Sequence, residues 1–204
     1  MRAQAREARK SHPDPTSAAE AVAQAIIALE WLDGVGKVAA TMVHDGELDP
    51  APLVSACWLR GITVCMPVLC DPAPMQFAYS DNHTPLVPNR YGIDEPNVDS
   101  TMYIAAKELD MIFAPVVLFD EAGYRAGRGM GYYDRALSFL LDDPRPTKPL
   151  VIGLAYECQL VEKVASHSKD IIMDALVTEV KVRIFNKSLS LKTSLRPNEP
   201  SART

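Results

Sequence analysis

The chain has 204 residues, 48% of them apolar and 23% charged, enough for one domain with a sizeable core. Its 21 Lys and Arg against 26 Asp and Glu leave a net charge of −5, which argues against a general nucleic-acid binder. With no apolar run near the ~20 residues that cross a bilayer and no secretory signal in Met1-Arg2-Ala3-Gln4-Ala5-Arg6, a cytoplasmic protein without a membrane partner is expected.

Residues 1–15 are basic, with few apolar neighbours, and read as a solvated terminus. On a helix, however, Arg2, Arg6 and Arg9 would line one face. Ser17-Ala18-Ala19-Glu20 has the form of a capping box, and Val22, Ile26 and Leu29 continue at helical spacing to about Leu32. A buried strand over residues 38–43 and a polar loop over 44–49 follow. Pro50 and Pro52 open a helix over 53–60 that Gly61 ends. Residues 62–69 read as a second strand, with Pro67 arguing for a strand end or a sheet edge. A short strand over Gln76–Tyr79, a loop over 81–99 and a weak helix over 101–109 come next. Residues 111–119 are nearly all apolar, the pattern of a central strand covered on both faces. A helix over 133–141 and strands at Leu150–Leu154 and within 175–185 complete a domain over 1–185. A polar, flexible tail is expected over 186–204. The alternation predicts an α/β domain with a largely parallel sheet. Cys57, Cys65, Cys70 and Cys158 form no C-x-x-C pair and are expected to be reduced thiols without a metal or disulfide role.

The densest chemistry is Gly123-Tyr124-Arg125-Ala126-Gly127-Arg128-Gly129-Met130-Gly131-Tyr132-Tyr133-Asp134-Arg135, just past the strongest strand. It is neither a phosphate-loop signature, lacking Gly-Lys-Ser/Thr, nor a dinucleotide fingerprint. Glycines free backbone N–H groups to converge on an anion, and the next helix would offer its positive end. Arg125 and Arg128 can fork onto phosphate oxygens. Asp134 suits either Mg²⁺ beside those phosphates or compensation of the helix dipole. Tyr132 and Tyr133 suit stacking on a planar ligand or packing under the loop. The residues alone reach a nucleotide triphosphate with a divalent cation.

The same residues resemble the 5-formyltetrahydrofolate cyclo-ligases, whose loop reads G-x-R-L-G-x-G-x-G-Y-Y-D-R. Only Ala126 departs from its fixed positions. Gly92-Ile93-Asp94-Glu95-Pro96, Glu47 after Gly46, Gln159, Asp170, Asp174 and Val177-Thr178-Glu179 are similar to further family elements in order, over roughly residues 2 to 180. The resemblance implies a single three-layer domain of the cyclo-ligase, CoA transferase-like type. The activity it implies is closure of 5-formyltetrahydrofolate to 5,10-methenyltetrahydrofolate with ATP and Mg²⁺, releasing ADP and phosphate. The substrates are small molecules, and a monomer or weak homodimer is expected.

By resemblance, ATP would lie on Arg125, Gly127, Arg128, Gly129, Met130, Gly131, Tyr132 and Tyr133, with Arg128 and Tyr132 at the reacting groups. Asp134, Asp170 and Asp174 would hold Mg²⁺, although the bare sequence makes the last two a solvated like-charge pair. Glu47 would accept from the pterin edge, with Tyr91 against the folate and Met42 a lesser candidate for the same pocket. Three departures stand out. Ala126 replaces leucine. Met130 leaves its position uncharged. The family's opening K-x-x-L-R is matched only by its arginine, at Arg2 or, as a fallback, Arg6. An ATP-using relative acting on another pterin or thiamine-like substrate and a non-catalytic folate or nucleotide binder are the alternatives.

Overall fold

The computed structural model describes residues 1–187 and Leu189. In chain order the helices are α1 (Arg2–Lys10), α2 (Pro15–Ala28), α3 (Ala51–Leu59) and α4 (Tyr132–Ala136). The strands are β1 (Lys37–Ala39), β2 (Thr63–Val68), β3 (Gln76–Tyr79), β4 (Leu86–Pro88), β5 (Asp94–Pro96), β6 (Tyr103–Ile104), β7 (Met111–Pro115), β8 (Leu118–Phe119), β9 (Arg125–Ala126), β10 (Leu150–Leu154), β11 (Ala175–Val177) and β12 (Val182–Ile184). Eight strands form one sheet in the order β12-β11-β10-β7-β1-β2-β3-β6. The five central ones are parallel, β3 and β12 run antiparallel to them at the flanks, and β6 pairs antiparallel with β3 at the edge. This is the expected mostly parallel α/β domain.

Alternation along each strand builds two cores. Val38, Met111, Phe113 and Ile152 point to the face covered by α2 and α3, around Ile26, Trp31 and Leu53. Ala39, Ile112, Ala114 and Val151 point to the opposite face, against Phe119, Leu137 and Leu140. Each large apolar side chain fully buried there contributes about 1.5–3 kcal/mol. The chain passes from β1 to β2 on one side and returns to β7 on the other, so a topological switch lies at β1, where ligands gather beyond the strand ends.

Several boundaries differ from the sequence reading, for local reasons. Asp14, not Ser17, caps α2: its Oδ1 accepts the Ser17 amide at 3.1 Å, and Pro15 takes the first helical position, where its missing N–H costs nothing. β2 is an interior strand, yet tolerates Pro67 because the register with β1 stops at Cys65, leaving that side open. Residues 101–109 hold two short 3₁₀ turns around β6 instead of a helix. The expected long strand breaks after Pro115, and β8 turns away to pair with β9. The loop over 81–99 contains the β4–β5 hairpin. The terminus expected to be solvated is helix α1, which buries Ala5 and Arg9. Asn186 donates to Asp174 at 2.6 Å and Leu189 sits in the core, so the tail expected from residue 186 does not begin there. Its remainder lies outside the described residues.

Candidate active site

Beyond the carboxyl ends of β1, β2 and β7 lies a cleft of about 530 Å³. Thr41, Leu69 and Val117, just past those ends, form its floor. The glycine loop and the start of α4 form one wall, Glu47 stands on another, and the tip of the β4–β5 hairpin overhangs with Tyr91. Arg2, from α1, reaches the same space. The structure thus gathers Arg2, Glu47, Tyr91, Asp134, Asp170 and every residue from Arg125 to Tyr133 around one cavity.

Geometry separates their roles. Gly131 stands before α4 at φ +65°, in the left-handed region that favours glycine, with Gly129 at φ +93°. A Cβ on Gly127 or Gly129 would meet nothing within 4 Å, so the loop faces open space. Arg125 is tied inward, donating from Nη1 to the Ile171 carbonyl at 3.0 Å and from Nη2 to Asp134 Oδ1 at 3.1 Å. It braces the loop instead of presenting a free fork. Arg128 projects across the cleft, and its Nη2 donates to Glu47 Oε1 at 3.0 Å. Glu47 is only 7% exposed. Burial pushes its carboxyl above the ordinary range, opposed by Arg128 and then Arg9.

The aromatic rim is connected. The hydroxyls of Tyr91 and Tyr132 lie 3.0 Å apart and their rings meet edge to face. Tyr132 also donates to Asp71 Oδ2 at 3.2 Å, and Arg90 bonds both Asp71 and the Tyr132 hydroxyl. Asn89 Oδ1 accepts the Tyr91 amide at 2.9 Å, while Glu95 Oε2 accepts from Leu69 and Asn89, pinning the hairpin to the end of β2. Burial raises the Tyr133 hydroxyl well above the usual phenol value.

Three expected site residues sit elsewhere. Arg6 donates to Asp45 Oδ2 at 2.6 Å and does not line the cleft. Met42 lies beside it, where Thr41 faces in instead. Asp174 is 1% exposed in the sheet layer: its Oδ2 accepts the Val151 amide at 2.7 Å and Arg145 Nη2 at 2.9 Å, and its Oδ1 accepts Asn186. A carboxylate so engaged is a structural hub, and the sequence reading of it as a metal ligand is corrected.

The remaining carboxylates suit a magnesium ion. Asp134 Oδ1 takes Arg125 and the Ile171 amide, and Asp170 Oδ2 takes the His167 amide at 2.7 Å. Among the described residues the other oxygen of each accepts no hydrogen bond. Among the described residues no group of three or more His, Cys, Asp or Glu is gathered there, but Mg²⁺ is ordinarily held by one or two carboxylates plus phosphates and water.

Sequence reasoning missed Arg9, Asp45, Asp71 and Arg90. Only Arg9 left a signal, the shared helical face with Arg2 and Arg6. Its side chain is fully buried, donating to the Asp45 carbonyl at 3.0 Å, Asp45 Oδ2 at 2.9 Å and the Val116 carbonyl at 3.3 Å. Asp45 (φ +56°) and Gly46 (φ +72°) make the tight turn that receives α1. A Cβ on Gly46 would stand 2.8 Å from Lys10 Cγ.

No described helix is long and apolar enough to cross a membrane. The 5-formyltetrahydrofolate cyclo-ligase family model matches residues 1–179. The chain is 38% identical over 147 residues to the 5-formyltetrahydrofolate cyclo-ligase of Escherichia coli K12, which covers 71% of this chain and 79% of that one. It is 33% identical over 144 residues to that of Haemophilus influenzae, covering 69% and 74%. The NMR structure of Aquifex aeolicus 5,10-methenyltetrahydrofolate synthetase matches at a TM-score of 0.73 and 29% identity, over 90% of each chain. With motif, fold and relatives in agreement, the chain belongs to the 5-formyltetrahydrofolate cyclo-ligase family and is an enzyme of that family.

Proposed function

We propose that the protein converts 5-formyltetrahydrofolate and ATP to 5,10-methenyltetrahydrofolate, ADP and phosphate, as a monomer or weak homodimer in the cytoplasm. The observation that carries this reading is the meeting of two chemistries in one cleft: an open glycine loop faces the buried Glu47, with Arg128 between them. The loop and Arg2 suit the triphosphate, and Arg128 neutralises charge on the transferring phosphoryl group. Glu47 suits the adjacent N–H donors of a pterin edge. Tyr91 and Tyr132 offer aromatic surface at the mouth for the rest of the folate.

In this mechanism the N5 formyl oxygen attacks the γ-phosphorus in line and ADP leaves. The N10 lone pair then attacks the activated formyl carbon, the C–O bond breaks, phosphate departs and N10 gives up its proton. The protein contributes position and charge, because the formyl oxygen leaves readily only once phosphorylated. Asp134 and Asp170 would hold Mg²⁺, which supplies charge neutralisation at the phosphates.

The test is the near-ultraviolet absorbance of the methenyl product. Protein, 5-formyltetrahydrofolate, ATP and Mg²⁺ together give a rise that any omission abolishes. No rise at high enzyme concentration, with folate bound and ATP unconsumed, would leave a binder instead.

A further inference from the structure

Glu47 is held by two arginines of unlike mobility. Arg128 belongs to the open glycine loop and its side chain is 29% exposed. Arg9 belongs to α1 and its side chain is wholly buried. Nε and Nη2 of Arg9 donate to Asp45 and Nη1 donates to the Val116 carbonyl at the end of β7, so protein acceptors engage every nitrogen of the guanidinium. From that fixed seat Nη1 stands 3.6 Å from Glu47 Oε1, the same oxygen that Arg128 occupies at 3.0 Å.

We infer that Arg9 is a positioning residue for the folate-side carboxylate: it is the permanent counter-ion of Glu47, whereas Arg128 is exchangeable and leaves for the phosphates when ATP binds. The inference rests on the reading of Glu47 as the pterin acceptor and adds what keeps it ionised. A buried carboxylate without a cation takes up a proton, and a protonated Glu47 cannot accept from two adjacent donors. If Arg128 alone neutralised Glu47, ATP would disarm the folate side on arrival. Arg9 cannot follow the phosphates, because leaving would break its three buried hydrogen bonds, to the carbonyl and carboxylate of Asp45 and to the carbonyl of Val116. Lys10 does not replace it, since its Nζ is 2.8 Å from Asp45 Oδ1. Around Glu47 stand Arg128 from the glycine loop, His44 from its own loop, and Arg6, Arg9 and Lys10 from α1. Asp45 and Asp49 lie on its own loop, and the Tyr133 hydroxyl faces it from α4. Of the cations, only Arg9 is both buried and locked.

The test reads the split between substrates and its pH dependence. Arg9→Met removes the charge and keeps the aliphatic stem. It is expected to raise the KM for 5-formyltetrahydrofolate about tenfold, the size of one charge-assisted interaction, with the KM for ATP little changed. The acid limb of kcat/KM for folate moves to higher pH, and Arg9→Lys restores part of both. In a Glu47→Gln background the same substitution adds little, because the group it serves is gone. Should Arg9→Met fail to fold, Arg9→Gln, whose amide nitrogen takes the place of Nε and can still donate to the Asp45 carbonyl, removes the charge with less loss of hydrogen bonding and is read the same way. An unmoved acid limb, an equal loss in the Glu47→Gln background, or a loss confined to ATP would overturn the inference. An inactive wild-type protein would instead overturn the folate reading itself.

Discussion

Asp174 offers the sharpest separation of a ligand from a brace. Asp174→Ala removes the acceptor of the amide of Val151, a fully buried residue, and an orphaned buried donor costs ~1–3 kcal/mol. It also removes one acceptor from each of Arg145 and Asn186. The Arg145 side chain is 36% exposed and water replaces much of its loss, so these two bonds add about 1 kcal/mol each. The sum is about 3–5 kcal/mol, or roughly 10 °C in Tm for a domain of this size. Thermal melts followed by circular dichroism, beside Mg²⁺ titrations of the initial rate at a temperature where the variant is folded, give both readouts. The expected result is a low melt with an ordinary Mg²⁺ requirement, and Asp134→Asn should give the reverse. A melt within about 2 °C of wild type, with a steeply raised Mg²⁺ requirement, would refute the reasoning and return Asp174 to the metal.

Arg128→Ala should lower turnover on the order of 10²-fold, as for other groups that stabilise developing charge; an unchanged kcat removes it from phosphoryl transfer. Asp45, held well below the ordinary carboxylate range first by Arg6 and against its own partial burial, contributes stability present above its unfolded pKa. That contribution is lost as pH falls through its depressed folded value. Asp45→Asn, which keeps a residue suited to positive φ, should therefore cost about 2–3 kcal/mol in urea melts at pH 7. The gap to wild type should narrow progressively in strong acid, and a gap independent of pH would contradict the charge assignment. Burial pushes the Cys57 and Cys65 thiols up to about 11, so an alkylating reagent at pH 8 should label the exposed Cys158 first and those two only on unfolding. Rapid labelling of either buried thiol in the native state would argue against the packing around β2 and α3.

What the sequence disclosed follows the range of the interactions involved. β7 and β10 were legible because strands covered on both faces are apolar without a break, and the glycine loop was legible because its chemistry is contiguous. Helix α1 was not, since what it buries is an arginine whose acceptors are 36 and 107 residues away. Neither periodicity nor composition carries that information. The β4–β5 hairpin was hidden by its short, proline-bearing strands, of which β4 is exposed throughout. Asp170 and Asp174 look alike in sequence, four positions apart. One faces the cleft and the other the sheet, and only the register of β10 beside β11 decides it.

The carbonyl of Val116 receives Arg9 from one end of the domain and Gln159, at 2.7 Å, from the other. A chain made from its N-terminus outward holds the basic helix long before the strand end that seats it exists, and waits longer for the glutamine that shares the seat. Local helix and hairpin contacts form early, whereas contacts this distant in sequence must await loop closure. The acid between the two arginines thus owes its setting to contacts that span 81 and 107 residues of the chain. A nascent chain carries the parts of the cleft well before it can bind through them, and the capacity for turnover arrives with the completed sheet.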